Sequence, residues 1–549
     1  MPERAFTVRF IPIALLLVVT AAVYLRVCGH QFIAYDDPIH VYENPYVNRG
    51  TGADFLHFWT TPHERLYIPL TYNLWTALAK VARWFPPDAR GRLNPGVFHT
   101  ANLLLHLLNT LLVYLILLRL IKESRAAVVG ALLFALHPVQ VEPVAWVSGL
   151  KDLLSAFWGL LALNQYLRAC ETAASGRERR RHYLLATVFF LLALLAKPSG
   201  MVIIGSAALA GYLLLNRPRP RLLQEMAPWC LLALGAILLT RLSQAQTSDY
   251  FNPLPWQRFL IAGDAVTFYL GQILLPLSLG LDYGRAPQFV LGQGWVWATG
   301  VAPYLLAGLL LWRASRTWLF AAGVFLVGLA PTLGCISFDF QRFSTVADRY
   351  LYLAMLGPAF AAGLLFGTCR HKAARMGLVG LLLVLGLKSF AQAGYWQNGF
   401  SLYEEALRVN QTSWLAHNNL GLEYLRDDQP EKSLEFFRQA IQDRPLNAKS
   451  YNNLANALLA LNRPGEAIAY LQKALELAPN SPLIAFNLGA AYRQTGALPE
   501  ALAAFQRAAT LKPDFAEAHG EIGNIHNLLG QPGEAEKDFA RAKALLPSS

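Results

Sequence analysis

Residues 445–478 read PLNAKSYNNLANALLALNRPGEAIAYLQKALELA, and from 414 to the end of the chain the same plan returns every 34 residues. Pro445, Pro479, Pro513 and Pro547 mark the step. A column of small residues follows the same step at Gly421, Ala455, Gly489 and Gly523, and a column of large ones at Phe437, Leu471, Phe505 and Phe539. Small against large at fixed spacing lets two antiparallel helices nest, and a proline that cannot continue a helix ends each unit. A unit of this kind cannot bury its apolar face alone, so copies stack.

Four copies in register make the tetratricopeptide pattern, which predicts a curved α-solenoid over 414–549. A second column runs Asn419, Asn453, Asn487, with Glu521 in the last copy. These residues fall on the first helix of each unit, the helix that lines the concave side. A side-chain amide both donates and accepts, so an asparagine ladder suits the backbone of an extended acceptor peptide. Capping or solvation of the helix surface is the plainer reading. Residues 394–413 read as a connecting helix.

Upstream, the composition changes. From Gly394 onward 14 basic residues meet 17 acidic ones, whereas residues 1–393 hold 33 basic and 18 acidic. The whole chain is 54% hydrophobic and 15% charged, which excludes an ordinary globular enzyme and a disordered chain. No basic face gathers on the polar half, so nucleic acid is not an expected partner. Apolar runs near 8–28, 97–118, 126–146, 153–168, 183–196, 199–215, 226–240, 259–281, 293–312, 317–336, 347–367 and 377–393 predict a polytopic helical membrane domain. The first run is long for a signal peptide and reads as a retained helix. Arginine and lysine cluster at 119–125, 177–181, 217–221, 313–316 and 370–375, and the positive-inside rule puts these loops in the cytoplasm with the N-terminus. Consistency then requires one run not to cross. Gly263, Asp264 and Pro276 make 259–281 the choice, as a broken or re-entrant segment, leaving about 11 crossings. The repeats and the long loop 29–95 fall on the outer face, with an interfacial helix expected over 66–85. Compact loops suit a bacterial inner membrane with periplasmic repeats; in a eukaryote the equivalent is the endoplasmic reticulum membrane with luminal repeats.

Chemistry is expected at the outer helix ends. Asp36-Asp37-Pro38 and Glu43-Asn44-Pro45 follow the first helix closely. A carboxylate there can act as a general base or a metal ligand, although Asp-Pro and Asn-Pro also favour turns. His99, Asn102, His106, the segment HPVQVEPVAWVSGLKD over 137–152, Lys197-Pro198, Asp282-Tyr283 and Asp348-Arg349-Tyr350 add polar groups at membrane depth, where they are costly. Lys151, Lys197 and Arg349 can hold the phosphate of a lipid carrier; pairing of Arg349 with Asp348 is the plainer reading. His137 and Glu142 are five apart with a proline between, which is not a helical metal pair. A divalent cation can assist such chemistry, but there is no complete ligand set for one. The five cysteines match no metal or redox spacing and are expected to be free thiols.

The combination of Asp36-Asp37, Glu43-Asn44-Pro45, His137 to Asp152, Lys197-Pro198 and Asp348-Arg349-Tyr350-Leu351-Tyr352-Leu353, with repeats behind it, resembles the transmembrane and tetratricopeptide-repeat-containing O-mannosyltransferases and their bacterial relatives. The resemblance implies a type C glycosyltransferase fold. It implies an activity that moves a sugar, mannose first, from a polyprenyl-phosphate carrier to Ser/Thr hydroxyls of proteins on the outer side. The base the family carries in its first outer loop maps onto Asp36 or Asp37, with Asp36 preferred. His137, Glu142, Lys151, Arg349 and the neighbours Asp348 and Tyr350 match motif positions. Two other readings stand beside this one: a ligase or polymerase acting on a lipid-linked glycan, and a non-catalytic membrane scaffold that recruits partners through its repeats.

Overall fold

The computed structural model describes residues 2–171, 176–243, 251–335 and 339–545. Pro547 and position 336, used above, lie outside them. Contacts divide the chain into two units, Met1–Glu405 and Ala406–Ser549. Both are helical. Among the described residues the only extended pairing is an isolated bridge between His63 and Leu66.

The first unit opens with α1 (Pro2–Tyr24) and continues through three short helices of the long loop, α2 (Pro45–Arg49), α3 (Gly52–Thr60) and α4 (Pro69–Ala82). Then follow α5 (Pro95–Ile121), α6 (Ser124–Leu136), α7 (Val141–Ala145), α8 (Leu150–Glu171), α9 (Gly176–Ala196), α10 (Val202–Leu209) and α11 (Arg219–Ser243). The unit closes with α12 (Pro255–Leu274), α13 (Pro287–Leu291), α14 (Val296–Arg313), α15 (Arg316–Leu329), α16 (Leu351–Ala354), α17 (Leu356–Thr368) and α18 (Lys372–Tyr395). α19 (Gly399–Val409) follows within the stretch expected to connect.

Among the described residues, five helices can cross a membrane by length and composition, or up to seven if each of two bent pairs is one span. The unit is thus integral to a membrane, and the exposure of leucines on α11 and α14 such as Leu231 and Leu305 suits a lipid-facing surface. The eleven crossings counted from the sequence also include shorter or more charged helices, among them α8, α9 and α15. One bent pair is α6 with 138–145, turned by 55°; the other is 348–354 with α17, turned by 54°. All five cysteines are free.

Two expectations are refined. The run 259–281 is broken, but near its end: α12 passes through Gly263 and Asp264 and stops at Leu274, before Pro276. Gly263 instead admits the carbonyl of Gly300, so that α12 and α14 touch backbone to backbone. The Asp264 carboxylate is fully buried, takes Arg285 Nη2 at 2.5 and 2.6 Å and Thr299 Oγ1 at 2.7 Å, and so needs no break to be solvated. The helix expected over 66–85 is α4, but its apolar face lies on protein. Tyr72, Trp75 and Ala79 are buried, and the helix packs against α5 and α9.

In the second unit α20 (Trp414–Arg426) and α21 (Pro430–Asp443) form one hairpin. α22 (Ala448–Ala460) with α23 (Pro464–Leu477), α24 (Pro482–Gln494) with α25 (Leu498–Leu511), and α26 (Ala516–Leu528) with α27 (Pro532–Leu545) form the next three. The two columns meet as read. A Cβ on Gly421, Gly489 or Gly523 would stand 2.6, 2.7 or 2.9 Å from the ring of Phe437, Phe505 or Phe539. In the remaining repeat the larger Ala455 and the slimmer Leu471 share one buried cluster. Gly489→Ala is therefore expected to lower the stability of the array by about 1–3 kcal/mol through overpacking. Adding Phe505→Leu should restore most of it, which thermal unfolding of the two variants would check.

Candidate active site

The site is assembled where the first outer loop meets the segment 137–152. Past α1 the chain makes a 3₁₀ turn (Leu25–Gly29) and a wide turn over Pro38–Tyr42. Asn44 caps α2, its Oδ1 accepting from Tyr46 N at 3.0 Å and Val47 N at 3.3 Å. Between these turns the two adjacent carboxylates point different ways. Asp37 is fully buried; its oxygens accept from Ile33 N at 2.9 Å, Ser148 N at 3.1 Å and Ser148 Oγ at 2.6 Å. It ties the loop to the turn before α8. The Asp36 side chain is 31% exposed and its Oδ2 lies 3.4 Å from Lys151 Nζ.

The 137–152 segment folds back on itself because prolines start its turns and Gly149 lets the Pro143 carbonyl approach closer than any Cβ would allow. From α5, Asn102 Nδ2 donates to Trp146 O at 2.7 Å and Val144 O at 3.3 Å. His106 Nδ1 is 2.9 Å from the Tyr352 hydroxyl, to which Asn109 Nδ2 also donates at 3.0 Å. These α5 side chains, singled out as polar groups at membrane depth, hold the site from behind. His99, within 3.3 Å of Gln31 O, does the same for the first loop.

In front lies a cavity of about 530 Å³, a size that suits a small ligand. Asp36, Lys151, Lys197, Arg349 and Tyr350 line it, as do Tyr35, His40, Trp146, Asp152, Phe340, Arg342 and Phe343. Each of the three cations singled out from sequence has a carboxylate partner. Lys151 has Asp36; Lys197 Nζ meets Asp152 Oδ1 at 2.5 Å; Arg349 Nη1 meets Glu142 Oε1 at 2.5 Å. Glu142 also accepts from the Arg349 backbone N–H at 2.9 Å. The partner of Arg349 is thus not Asp348, which accepts instead from the Tyr283 hydroxyl at 2.7 Å. The Arg349 guanidinium stands over the Phe340 ring at 4.2 Å and 5.8 Å from that of Trp146, and Lys151 lies 5.1 Å from the same indole.

Four singled-out groups stay off the cavity wall. His137 bonds Ile273 O at 3.0 Å and caps the turn that follows, Glu142 sits behind Arg349, Asp348 holds Tyr283, and Asp37 holds Ser148. Trp146 and Asp152 lay inside the quoted segment without a role. Phe340, Arg342 and Phe343 were missed altogether, because 339–343 carries no apolar period or repeat to draw attention to it. Among the described residues no three His, Cys, Asp or Glu side chains gather as metal ligands.

The loop groups titrate unequally. Burial raises the Asp36 carboxyl, but the fields of Lys151, His40 and Arg349 outweigh it and hold the group below the usual carboxylate range. Burial pushes Asp37 up to about 7, the bonds from Ser148 and Ile33 offsetting it only in part. Burial, then Lys151, lowers His40 to about 4. Near neutrality Asp36 is therefore ionised and His40 neutral. Folded Asp37 holds its proton more tightly than an unfolded aspartate. Its contribution to stability is full below about pH 4, its ordinary value being 3.8, and is lost as pH rises through about 7. Thermal unfolding between pH 5 and 8 should show wild type losing stability relative to Asp37→Asn, whose slope is flatter.

In the repeat unit the asparagine column takes part in a continuous ladder. Asn487 Nδ2 donates to Asn452 Oδ1 at 2.8 Å, Asn452 to Asn453 at 3.4 Å, Asn453 to Asn418 at 2.9 Å, and Asn418 to Asn419 at 3.3 Å. Each amide spends part of its capacity on its neighbours and keeps the rest. Glu521 ends the column paired with Arg493 at 2.9 Å.

The model of the dolichyl-phosphate-mannose-protein mannosyltransferase family matches residues 97–242. The tetratricopeptide-repeat model matches 418–482, 452–514 and 486–549. Protein O-mannosyl-transferase F38B6.6 of Caenorhabditis elegans is 23% identical over 424 residues, covering 72% of this chain and 58% of that protein. Protein O-mannosyl-transferase TMTC3 of Mus musculus is 24% identical over 493 residues, covering 80% and 52%. The chain spans about half the length of the curated relatives it matches. Among solved structures, a crystal structure of MamA aligns at 21% identity over 32% of this chain and 96% of its own, with a TM-score of 0.26.

Proposed function

We propose that this chain, a member of the transmembrane and tetratricopeptide-repeat-containing O-mannosyltransferase family, moves a sugar, mannose first, from a polyprenyl-phosphate carrier to Ser/Thr hydroxyls of proteins on the outer face of the membrane. The observation that carries the reading is an ionised, partly exposed Asp36 on the wall of a cavity that also presents Lys151, Lys197 and Arg349. The carrier's phosphate meets the cations, and Arg349 offers it a planar fork. Lys151 then turns from Asp36 toward the phosphate, which releases the carboxylate for its task as base. Asp36 takes the proton of the acceptor hydroxyl, whose oxygen bonds to the anomeric carbon as the carbon–oxygen bond to phosphate breaks. Polyprenyl phosphate leaves with the bonding electrons, neutralised by the same cations, and the single displacement inverts the anomeric centre. Positioning and charge neutralisation supply most of the rate. Trp146 and Phe340 keep the cations oriented and partly dry. The repeats hold the acceptor chain through the amide capacity the ladder leaves over. No step is assigned to a metal ion.

The reading is tested with purified full-length chain in nanodiscs, offered radiolabelled polyprenyl-phosphate sugars and a pool of unfolded proteins. Label in protein, with mannose the preferred sugar, is the expected result. Label in glycan alone would favour a ligase, and no label from a folded preparation would favour a scaffold.

A further inference from the structure

A second cavity, of about 680 Å³, lies at the other end of the helices that build the first. Lys151 in the first turn of α8, Lys197 just after α9 and Thr240 near the end of α11 line the first cavity. Ala169 and Cys170 on α8, Arg179 and Arg180 on α9, and Arg221, Gln224, Glu225 and Pro228 on α11 line the second. Along α8 and α9, some 17–19 residues separate the two ends, about 27 Å at the α-helical rise. That is roughly the hydrocarbon thickness of a bilayer, so the cavities open at opposite membrane boundaries.

The lining of the second cavity is basic and built. Glu225, 9% exposed, is fixed by the Tyr166 hydroxyl at 3.0 Å, and it draws in Arg179 at 2.8 Å and Arg221 at 3.5 Å. The lining thus holds one carboxylate among three arginines: Arg179 and Arg221 pair with it, and Arg180 meets no acidic partner among the described residues. In Arg217-Pro218-Arg219-Pro220-Arg221 alternating prolines stiffen the backbone that presents Arg221. Leu223 and Leu231, on the same helix, are about seven-tenths exposed and offer acyl chains a surface beside this basic pocket. Excess guanidinium at a membrane boundary next to lipid-facing leucine suits a phosphate that carries acyl chains.

We propose that the second cavity binds the phosphate of an anionic lipid headgroup, in the leaflet opposite the first cavity. The site stands whether or not the first cavity transfers sugar.

Native mass spectrometry of the full-length chain in detergent, titrated with phosphatidylglycerol or phosphatidylcholine, tests it. One phosphatidylglycerol should be retained in clear preference to phosphatidylcholine. Arg180→Gln leaves the Glu225 pairs intact and should weaken retention about fivefold; Arg180→Gln with Arg221→Gln should weaken it about thirty-fold. Arg177→Gln with Arg181→Gln removes the same charge outside the cavity and should leave retention nearly unchanged. Equal retention of the two lipids, or an equal loss in the outside pair, would overturn the proposal. Full displacement of the lipid by millimolar inorganic phosphate would overturn its lipid part and assign the cavity to a soluble phosphate.

Discussion

Asp36→Asn lowers the rate of transfer by about a thousandfold, the middle of the range for loss of a positioned general base. It should leave folding almost untouched. Asp36 has one side-chain partner, Lys151 at 3.4 Å, and both groups reach the cavity, so the stability at stake is that of a partly solvated pair, about 0–1 kcal/mol. Asp37→Asn gives the opposite pattern. Three donors converge on the Asp37 carboxyl, and an amide would turn its own N–H groups toward one of them. That variant should melt lower, by about 1–3 kcal/mol, and lose transfer only as far as the loop loosens. Steady-state transfer and thermal unfolding on the two single variants separate the roles. Wild-type activity in Asp36→Asn would remove it as the base, and loss of activity in Asp37→Asn with an unchanged melting profile would move the assignment there.

Arg349→Met destabilises the chain by about 3–5 kcal/mol, because it leaves Glu142 buried without its counter-charge. Arg349 and Glu142 are 8% and 3% exposed and 207 residues apart, so the pair joins distant segments where little water reaches. Arg349→Met together with Glu142→Gln should recover most of that loss, since a glutamine oxygen can still accept from the Arg349 backbone N–H, which Glu142 takes at 2.9 Å. Transfer should not recover with it. The guanidinium that neutralises the leaving phosphate is gone, and removal of one such donor costs about 10²–10³ in rate. A double variant that folds but does not transfer separates chemistry from architecture at this residue. Recovery of both stability and transfer would show that Arg349 serves the fold alone.

What could be read in advance follows the range of the interactions. The repeat columns were legible because Gly421 against Phe437 and Ala455 against Leu471 are short-range choices of volume repeated at a fixed step. The cations of the cavity were legible because Lys151, Lys197 and Arg349 are costly at membrane depth without a task. The distinction between Asp36 and Asp37 was not legible. Neighbours in one turn are told apart by Ser148 and Lys151, 111 and 115 residues away. The partner of Arg349 was misread for the same reason, since Asp348 is adjacent in the chain and Glu142 is adjacent only in space. The run 259–281 breaks before Pro276 and not at Gly263-Asp264, because Arg285 and Thr299 reach Asp264, while Gly263 serves packing against Gly300. A glycine and an acid in an apolar run are ambiguous until their partners are known.

The central claim is that the cavity beside Asp36 receives the phosphate and sugar of a lipid carrier. A cryo-EM map of the Asp36→Asn variant, trapped with polyprenyl-phosphate mannose in nanodiscs, tests it most directly. The account predicts phosphate density within hydrogen-bond reach of Arg349 and at least one of Lys151 and Lys197, with the anomeric carbon turned toward residue 36. Donor density seated against Arg180 and Arg221 instead, with the first cavity empty of it, would contradict the account.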